Sequence, residues 1–598
     1  MDRNSIIGFG LLVLLVIGYV LYNQNQQEEY QKQKKEQEAK AAKAAPKKVA
    51  DTANTAVLAV ADSSKDNMVD NRPAAYHGTE QVVKLENKKL ILEFSTKGAK
   101  PLSAQVLGYK TYNQKPLYFF SGKNNELSAI LPVNNGAVAT KDLYFVPSQR
   151  SDANGNKILD LMADLGEGKT VAISYTLPVD DYMLKGSIRI NGMAANSLPL
   201  NWQIQSLHTE KELTAERNNS QIYYHFTDDD ADYFTIRENK TENLDKTAQW
   251  IGYRMQYFST AIISEEGLNK AQIQVTNQLD SNSVSRQTST FELPLKNGAA
   301  SFNWYVGPNH YKTLRQYKID LDDMVPLGYG VMAFVKYINK WLIIPIFNSL
   351  SSFIGNFGII IILMTIFIRL ILSFFTYKSY LSAAKMRVLK PEIDELRAKH
   401  SDDQQKFGME QMKLFKSAGV NPLGGCLPTL FQMPILFAMY YFFPSSIELR
   451  QESFLWADDL STYDSIASLP FSIPGYGSHI SLFTLLMTAS SLFLALYNRN
   501  MTSQDPNNPV MKWMPYIFPF ILIGVFNQMA AALTFYYFFS NMISILQQFI
   551  IQKYVIDEKK IHAQIQENKN KPATPSKWAQ KMEEMQKIQM ERAKGKKK

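Results

Sequence analysis

The chain has 598 residues, a formal net charge of +9 and a mean hydropathy of -0.21. That average hides long apolar segments between polar regions, and local windows place the chain among membrane proteins with several spans. Its single cysteine, Cys426, excludes an intramolecular disulfide and any metal site built on cysteine. The positive charge is concentrated locally, which indicates contacts with anionic lipid or nucleic acid at those places.

Two segments precede the first folded domain. Residues 6–22 are apolar, follow Arg3 and end without a small-residue cleavage site, so we predict a retained signal anchor over residues 1–22. Residues 23–75 are rich in Gln, Lys, Glu and Ala, and later in Ser, Thr and Asp, with few groups able to build a core. This composition predicts a flexible tether.

A pattern typical of strands extends from about residue 81 to 311. Leu90, Leu92 and Phe94 alternate with residues of the opposite face, and turn signals such as 154–156 separate similar segments. We therefore predict an antiparallel β-sandwich over residues 76–320 that acts as a binding or spacing module. Its histidines are scattered and the Asp run at 228–230 is typical of a solvated turn. We expect no enzymatic activity, no metal and no cofactor.

Residues 321–352 are amphipathic, with Lys336, Lys340 and Trp341 set among apolar residues. A helix of this kind lies along the membrane surface. We predict such an interfacial helix between the β domain and the first span of the core.

Residues 357–375 predict a membrane-spanning helix that contains one charge, Arg369. An arginine at a helix centre costs roughly 2.5–3.5 kcal/mol on insertion scales, so it should face protein or water. Thr365, Ser373 and Tyr377 share its helical face through spacing of four. Arg369 also lies only about 9 Å of helix from Phe375, so its side chain could instead reach the headgroups. This helix alone does not separate the two interpretations.

Residues 376–420 are strongly charged, with apolar residues at helical spacing and a break at 400–403, which predicts two antiparallel helices. Further apolar segments cover residues 428–443, 480–497 and 513–551, and we divide the last at 526–528 because it is too long for one crossing. The prediction is six spans in all, with a five-span core over residues 353–551.

The distribution of Lys and Arg orients these spans. Residues 376–427 contain nine Lys/Arg and residues 444–479 contain one, so the helical hairpin is predicted to be cytoplasmic and the β domain to lie on the other side. The Lys-rich tether opposes this assignment, but it belongs to a long translocated region where charge counts lose force. The tail, residues 552–598, has thirteen Lys/Arg against six Asp/Glu and is either solvated or bound to RNA or anionic lipid.

Two other spans also carry polar stripes. The fourth span has Ser481, Thr484, Thr488, Ser491, Ala495 and Asn498, and the sixth has Thr534, Tyr537, Asn541, Ser544 and Gln548. Small polar residues commonly join membrane helices, but Asn541, Gln548 and Arg369 favour a partly hydrated cavity. No Asp or Glu lies within the six predicted spans and no Walker-type loop is present, which argues against ion or ATP coupling.

Several motifs in this order and spacing resemble the YidC family of membrane protein insertases. They are the segment 357–390 with Ala-Lys-Met-Arg at 384–387, residues 421–426, Gln432-Met-Pro434, Tyr440-Tyr441, Glu448-Leu-Arg450, Tyr536-Tyr537 and Ser540-Asn541. The resemblance covers the whole chain. It implies a multi-pass α-helical protein of the inner membrane in bacteria with two membranes, with a periplasmic β-supersandwich and a cytoplasmic hairpin.

The resemblance also implies a function and a site. Such a protein inserts nascent membrane proteins and acts as their chaperone, alone or with the Sec translocon, through a hydrated groove that holds one arginine. The predicted groove residues are Thr365, Arg369, Ser373, Gln432, Tyr537 and Asn541. Met433, Pro434 and Tyr440 would form the slide for a substrate helix, and Lys385, Arg387 and Lys390 belong to the hairpin that receives it. The tail resembles the basic, ribosome-contacting tails of some relatives, so the resemblance implies the ribosome and membrane lipids as further partners, and no DNA partner is expected.

Two rivals from other classes stay open on sequence grounds. A small-solute transporter would use the β domain to capture solute, but it predicts pseudo-symmetry between halves of the bundle, which the sequence lacks. A structural scaffold would explain the polar stripes only as helix packing.

Overall fold

The computed structural model describes residues 72–570 except 134–135, 228, 230, 278–281, 401–402, 421–426 and 499–508. The predicted anchor, nearly all of the tether, the 421–426 motif and the tail beyond residue 570 lie outside the described residues. Two compact units are present. The β unit ends at Leu327 and also includes Ser445–Gln451, and the helical unit contains Gly328–Pro444 and the chain from Glu452 onwards.

The described residues of the β unit form eighteen strands and two short α-helices. The strands are β1 (Val82–Glu86), β2 (Leu90–Ser95), β3 (Pro101–Lys110), β4 (Pro116–Ser121), β5 (Glu126–Val133), β6 (Gly136–Ala139), β7 (Val146–Ser151), β8 (Lys157–Gly166), β9 (Lys169–Leu177), β10 (Met183–Asn191), β11 (Ser197–Leu207), β12 (Gln221–Phe226), β13 (Asp232–Thr235), β14 (Lys240–Asn243), β15 (Ala248–Arg254), β16 (Phe258–Thr276), β17 (Ser283–Pro294) and β18 (Ala299–Pro308). The helices are α1 (Leu213–Asn218) and α2 (Tyr311–Arg315).

These strands form two antiparallel sheets that share one long strand. The first sheet has the order β1-β2-β3-β4-β11-β17-β16-β14, and β5 also pairs with β11 beside β4 and carries β6 on its other edge. The second has the order β7-β8-β9-β10-β18-β16-β15-β12-β13. The first half of β16 pairs in the second sheet and its second half pairs in the first, so this strand connects the two layers.

Aromatic side chains from both sheets fill the space between the layers. Trp202 of the first sheet stacks on Tyr253 of the second with ring centroids 4.0 Å apart. Phe94 stacks on Tyr175 in the same way at 4.5 Å. Burial of such rings is the main favourable term in a core of this kind. The predicted β-sandwich is confirmed.

The β unit extends beyond the predicted boundary at residue 320. The backbone carbonyl of Ile319 accepts a hydrogen bond of 2.9 Å from the Trp250 indole. Leu321 and Met324 are fully buried, and Met324 lies so close to Gly252 that an added Cβ there would be 2.7 Å from its sulfur. Residues 321–327 therefore complete the sandwich, and the predicted start of the interfacial helix at residue 321 is wrong.

The segment Ser445–Gln451, here called the strap, is held in the β unit by buried charge. Arg450 Nε lies 3.0 Å from each carboxylate oxygen of Glu210, and both side chains are nearly inaccessible. Glu448 pairs with His310 at 3.2 Å. Burial opposes ionisation of Glu448, but the hydrogen bond and charge of His310, together with hydrogen bonds from the backbone and Ser446, lower the pKa of that carboxyl. The strap thus satisfies its charges within the β unit.

The helical unit contains ten α-helices and one β-hairpin among its described residues. The helices are α3 (Val335–Ile338), α4 (Ile344–Ser351), α5 (Phe357–Val388), α6 (Lys390–Lys399), α7 (Gln404–Ser417), α8 (Leu427–Ser445), α9 (Leu482–Tyr497), α10 (Pro509–Phe526), α11 (Ala531–Ile550) and α12 (Glu558–Asn570). A π-helical turn, Asn339–Ile343, joins α3 to α4, and the hairpin strands are β19 (Ala467–Ile473) and β20 (Gly477–Ile480). Within the described residues, only α5 is long and apolar enough to cross a membrane by these criteria, and shorter apolar helices cover Leu482–Tyr497 and Trp513–Phe526.

Several helix boundaries differ from the predictions. The amphipathic helix begins at Val335 rather than at residue 321. Helix α5 does not end at residue 375 but continues to Val388, because nothing between 376 and 388 breaks a helix and only the surroundings become polar. The next helix begins at Lys390 with Pro391 in its first turn, where proline is tolerated. The predicted division at 526–528 is confirmed, since α10 ends at Phe526 and α11 begins at Ala531.

The first part of the basic tail is folded as α12. Ile561 and Ile565 are buried with residues of α6 and α7, including Ile393 and Phe415. Lys569 Nζ lies 2.5 Å from a carboxylate oxygen of Glu392 on α6. Residues 558–570 are therefore packed against the charged helices rather than solvated.

Candidate functional site

Arg369 is the buried charge around which three helices of the helical unit meet. Helix α5 begins where the Asn356 side chain accepts from the Ile359 amide at 3.1 Å, and Arg369 follows three turns later. Its Nε and Nη2 donate to Ser540 Oγ of α11 at 2.9 and 2.5 Å, and its Nη1 donates to Gln432 Oε1 of α8 at 3.1 Å. Only 6% of the residue is exposed. The side chain is turned toward neighbouring helices, which is unlike an arginine that extends along its own helix to the headgroups.

The guanidinium of Arg369 is incompletely satisfied by protein. Its three bonds use three of the five N–H donors that a guanidinium carries. Within the residues described, no Asp or Glu forms an ion pair with it. The bond to Gln432 is only partly buried, so this end of the guanidinium is its more accessible end. Each nitrogen thus has one acceptor, and water or an acidic ligand would accept from the N–H groups that remain.

The other predicted groove residues on α5 and α11 mainly bond to backbone. Thr365 is fully buried and its hydroxyl donates to the Ile361 carbonyl at 2.6 Å. Ser373 donates to the Leu370 carbonyl at 2.6 Å. The Tyr537 hydroxyl donates to the Leu436 carbonyl of α8 at 2.9 Å, which joins α11 to α8. Of the predicted groove residues, only Gln432 contacts the guanidinium directly through its side chain.

Asn541, which is predicted to lie in the groove, bonds to α9 and not to Arg369. Its amide donates to Ser490 Oγ at 3.1 Å and Ser491 Oγ at 2.8 Å on α9. Gln548, seven residues later on the same face of α11, donates to Asn498 at the end of α9. This part of the polar stripe of the sixth span therefore joins α11 to α9, as polar side chains between membrane helices commonly do.

Two further residues belong to the arginine environment. Ser540 binds the guanidinium, and Gln547 Nε2 donates to the Arg369 carbonyl at 3.3 Å. Both lie on α11, seven residues apart, so they occupy one face two turns apart. Ser540 belongs to the Ser540-Asn541 motif, but the predicted stripe of the sixth span passes through Asn541. Neighbouring residues of a helix lie about 100° apart, so Ser540 occupies a different face.

The predicted slide residues lie on α8 around Pro434. Met433 is 43% exposed and Tyr440 is 39% exposed. Their spacing of seven places both on the same face. Large apolar side chains that are exposed on a membrane helix are suited to contact with lipid or with another apolar helix.

The three hairpin residues are distributed over the end of α5 and the start of α6. Lys385 is partly exposed and Lys390 is exposed. Arg387 pairs with Glu558 at the start of α12 at 3.2 Å. The carboxyl of Glu410 on α7 has a lowered pKa because Lys413 donates a hydrogen bond to it. Arg387 is thus occupied by the tail helix, while the two lysines stay available.

The described residues hold no group of three His, Cys, Asp or Glu side chains placed to bind a metal.

Comparisons with known proteins cover nearly the whole chain. The family described as 60Kd inner membrane protein matches residues 349–560, and the YidC periplasmic domain matches residues 82–344. A membrane protein insertase YidC of Parabacteroides distasonis is 35% identical and covers 99% of this chain and 98% of its own. A namesake from Porphyromonas gingivalis is 34% identical, with 98% of each chain covered.

A crystal structure of an active YidC insertase, with its first transmembrane domain resolved, shares 17% identity and a TM-score of 0.33 over 81% of this chain and 95% of that one. The two family models and the full-length relatives agree with each other. The chain belongs to the YidC family of membrane protein insertases and is an inner-membrane protein with a periplasmic β domain.

Proposed function

We propose that this protein inserts nascent membrane proteins through a partly hydrated groove beside Arg369. The polar flank of a nascent segment enters between α5, α8 and α11, and its apolar part passes Met433 and Tyr440 on α8 into lipid. The observation that carries this proposal is a buried arginine that pairs with no described carboxylate and keeps two donors without a protein acceptor.

The energetics follow from what each part of the substrate gains. The apolar segment leaves water for lipid, which is worth roughly 25 cal/mol per Å² of apolar surface. The polar flank would lose its hydration in an apolar path, and this cost opposes insertion. Water in the groove and the Arg369 charge reduce that cost, most of all for a flank that carries Asp or Glu.

The remaining parts have roles that fit this path. The cytoplasmic end of α5 and the helices α6 and α7 form the cytoplasmic hairpin, where Lys385 of α5 and Lys390 of α6 meet the incoming chain before it reaches the groove. The nine Lys/Arg in residues 376–427 support this side of the membrane. The basic tail contacts the ribosome, the Sec translocon cooperates on larger substrates, and the protein also acts as a chaperone for the inserted helices.

Site-specific photo-crosslinking tests the path. A photoreactive residue replaces Gln432, which reaches the guanidinium and is partly exposed, and ribosomes are stalled on a short membrane protein. A matched probe at Phe493, which is 54% exposed on α9, reports the lipid-facing surface. We expect crosslinks to the nascent chain from position 432 and to lipid from position 493. Lipid crosslinks alone at both positions would remove the groove from the substrate path and favour a scaffold.

A further inference from the structure

The hairpin formed by β19 and β20 has an exposed apolar face. Leu469, Phe471 and Ile473 alternate with Ser468, Pro470 and Ser472 along β19. Phe471 is 61% exposed and Ile473 is 40% exposed. Alternation of this kind normally turns the apolar face toward a core. In this hairpin Leu469 is half-buried, whereas Phe471 and Ile473 remain exposed among the described residues.

The hairpin is nevertheless fixed in place. At its turn, Asn527 Nδ2 donates to the carbonyls of Tyr476 at 2.9 Å and His479 at 2.8 Å. Asn527 Oδ1 accepts from the Ser481 amide at 3.0 Å, and the His479 ring stacks on Tyr463. Asn527 directly follows α10, and Ser481 directly precedes α9. The apolar face is therefore held at one end of both helices rather than left on a free loop.

The lengths of these helices place the hairpin near the membrane boundary. Helix α9 has 16 residues, about 24 Å at 1.5 Å per residue, and α10 has 18 residues, about 27 Å. Both fall short of a hydrocarbon core of about 30 Å. Residues 465–497 contain no Asp, Glu, Lys or Arg. The hairpin that precedes α9 can therefore lie at the membrane boundary, in the part of the membrane thickness that the short helix does not span.

We propose that this hairpin is a membrane-surface contact, with phospholipid as the occupant of its apolar face. Phe471 and Ile473 enter the boundary between headgroups and acyl chains, while the serine face and the backbone stay with water and headgroups. Pro470 and Pro474 lack amide hydrogens, which reduces the donors that this environment must satisfy. A protein partner would be expected to meet charged or hydrogen-bonding residues at the rim of the patch, and the uncharged segment 465–480 favours lipid. The proposal requires that α9 and α10 span the membrane, and it does not depend on the Arg369 groove.

An environment-sensitive fluorophore tests this contact in the full chain. Cys426 is replaced by Ser, and a single cysteine at Phe471 or Ile473 is labelled in nanodiscs of phosphatidylethanolamine and phosphatidylglycerol. Val146, which is 72% exposed on the β unit, provides the matched control. We expect blue-shifted emission at 471 and 473 that lipids brominated in their acyl chains quench, and red emission without quenching at 146.

Two outcomes would overturn the proposal. Emission at both hairpin positions that matches position 146 would mean that the face remains in water. Blue-shifted emission without bromolipid quenching would mean that a protein, such as a second copy, covers it. Because the two labelled positions are both exposed, an unchanged thermal unfolding transition in each variant confirms that labelling leaves the fold intact.

Discussion

Removing the charge of Arg369 should affect acidic substrates selectively. Arg369→Gln retains an amide that can bond Ser540, so the helices should still pack, but it removes the positive charge. Two unit charges 4 Å apart attract by about 1 kcal/mol in water and about 4 kcal/mol at the effective dielectric near a protein surface. A partly hydrated groove lies between these limits. Since about 1.4 kcal/mol corresponds to tenfold, insertion of an acidic-flanked segment should fall by about fivefold to several hundredfold.

The assay is insertion of a short single-span substrate into proteoliposomes, with flanks that differ only in Asp against Asn. Arg369→Lys keeps the charge and loses the forked geometry, and Arg369→Glu reverses the charge. We expect the Asp flank to be impaired increasingly from Lys to Gln to Glu, with little change for the Asn flank. Equal losses for both flanks in Arg369→Gln would refute an electrostatic role and leave the arginine as a packing residue.

Three further outcomes follow from contacts outside the groove. Arg450→Ala should lower the free energy of unfolding of the β unit by about 3–5 kcal/mol, measured by tryptophan fluorescence, because it leaves Glu210 buried without its partner. Pairing Arg450→Met with Glu210→Gln should lose less, and equal losses would contradict this account. Burial, and then the charge of Glu210, raise the pKa of Glu216, so the folded state keeps a proton that the unfolded chain loses above about pH 4.5. Stability from this group therefore falls as pH rises, and Glu216→Gln should reduce the drop in melting temperature between acidic and alkaline buffers; an unchanged slope would count against it. Ile561→Asp should undock α12, because it removes the roughly 1.5–3 kcal/mol that burial of an isoleucine contributes and would bury a carboxylate in its place. Trypsin should then cleave the tail faster. Ala563→Asp on the exposed face of the same helix serves as the control, and equal cleavage would argue against docking.

Local patterns predicted the elements that depend on neighbouring residues. Period-two alternation, as at Leu90, Leu92 and Phe94, indicated the sandwich because each strand presents one face to the core. The polar interruption around Asn527 indicated a break between two helices, and this residue in fact ties the chain on both sides of that break. The continuation of α5 beyond residue 375 was missed because a change from apolar to polar composition marks a change of environment, not the end of a helix.

Pairings between distant residues could not be predicted in the same way. On α11, two polar faces lie about 100° apart, and the period of the stripe does not say which face meets Arg369. The structure assigns Ser540 to the arginine and Asn541 to α9. Glu210 and Arg450 are separated by 240 residues, and no local signal connects an acidic residue of the β unit with a motif that follows α8.

The strap has a consequence for engineering a shorter version of this protein. The chain passes between the β and helical units at Leu327, at Ser445 and again at Gln451, so excision of the long N-terminal part of the β unit would leave seven residues behind. Ile447, Leu449 and Arg450 are buried and would then have lost their surroundings. A minimal version of this protein should therefore exchange the strap for a short polar turn in the same step that deletes the sandwich. A lineage that discards the domain would need both changes together.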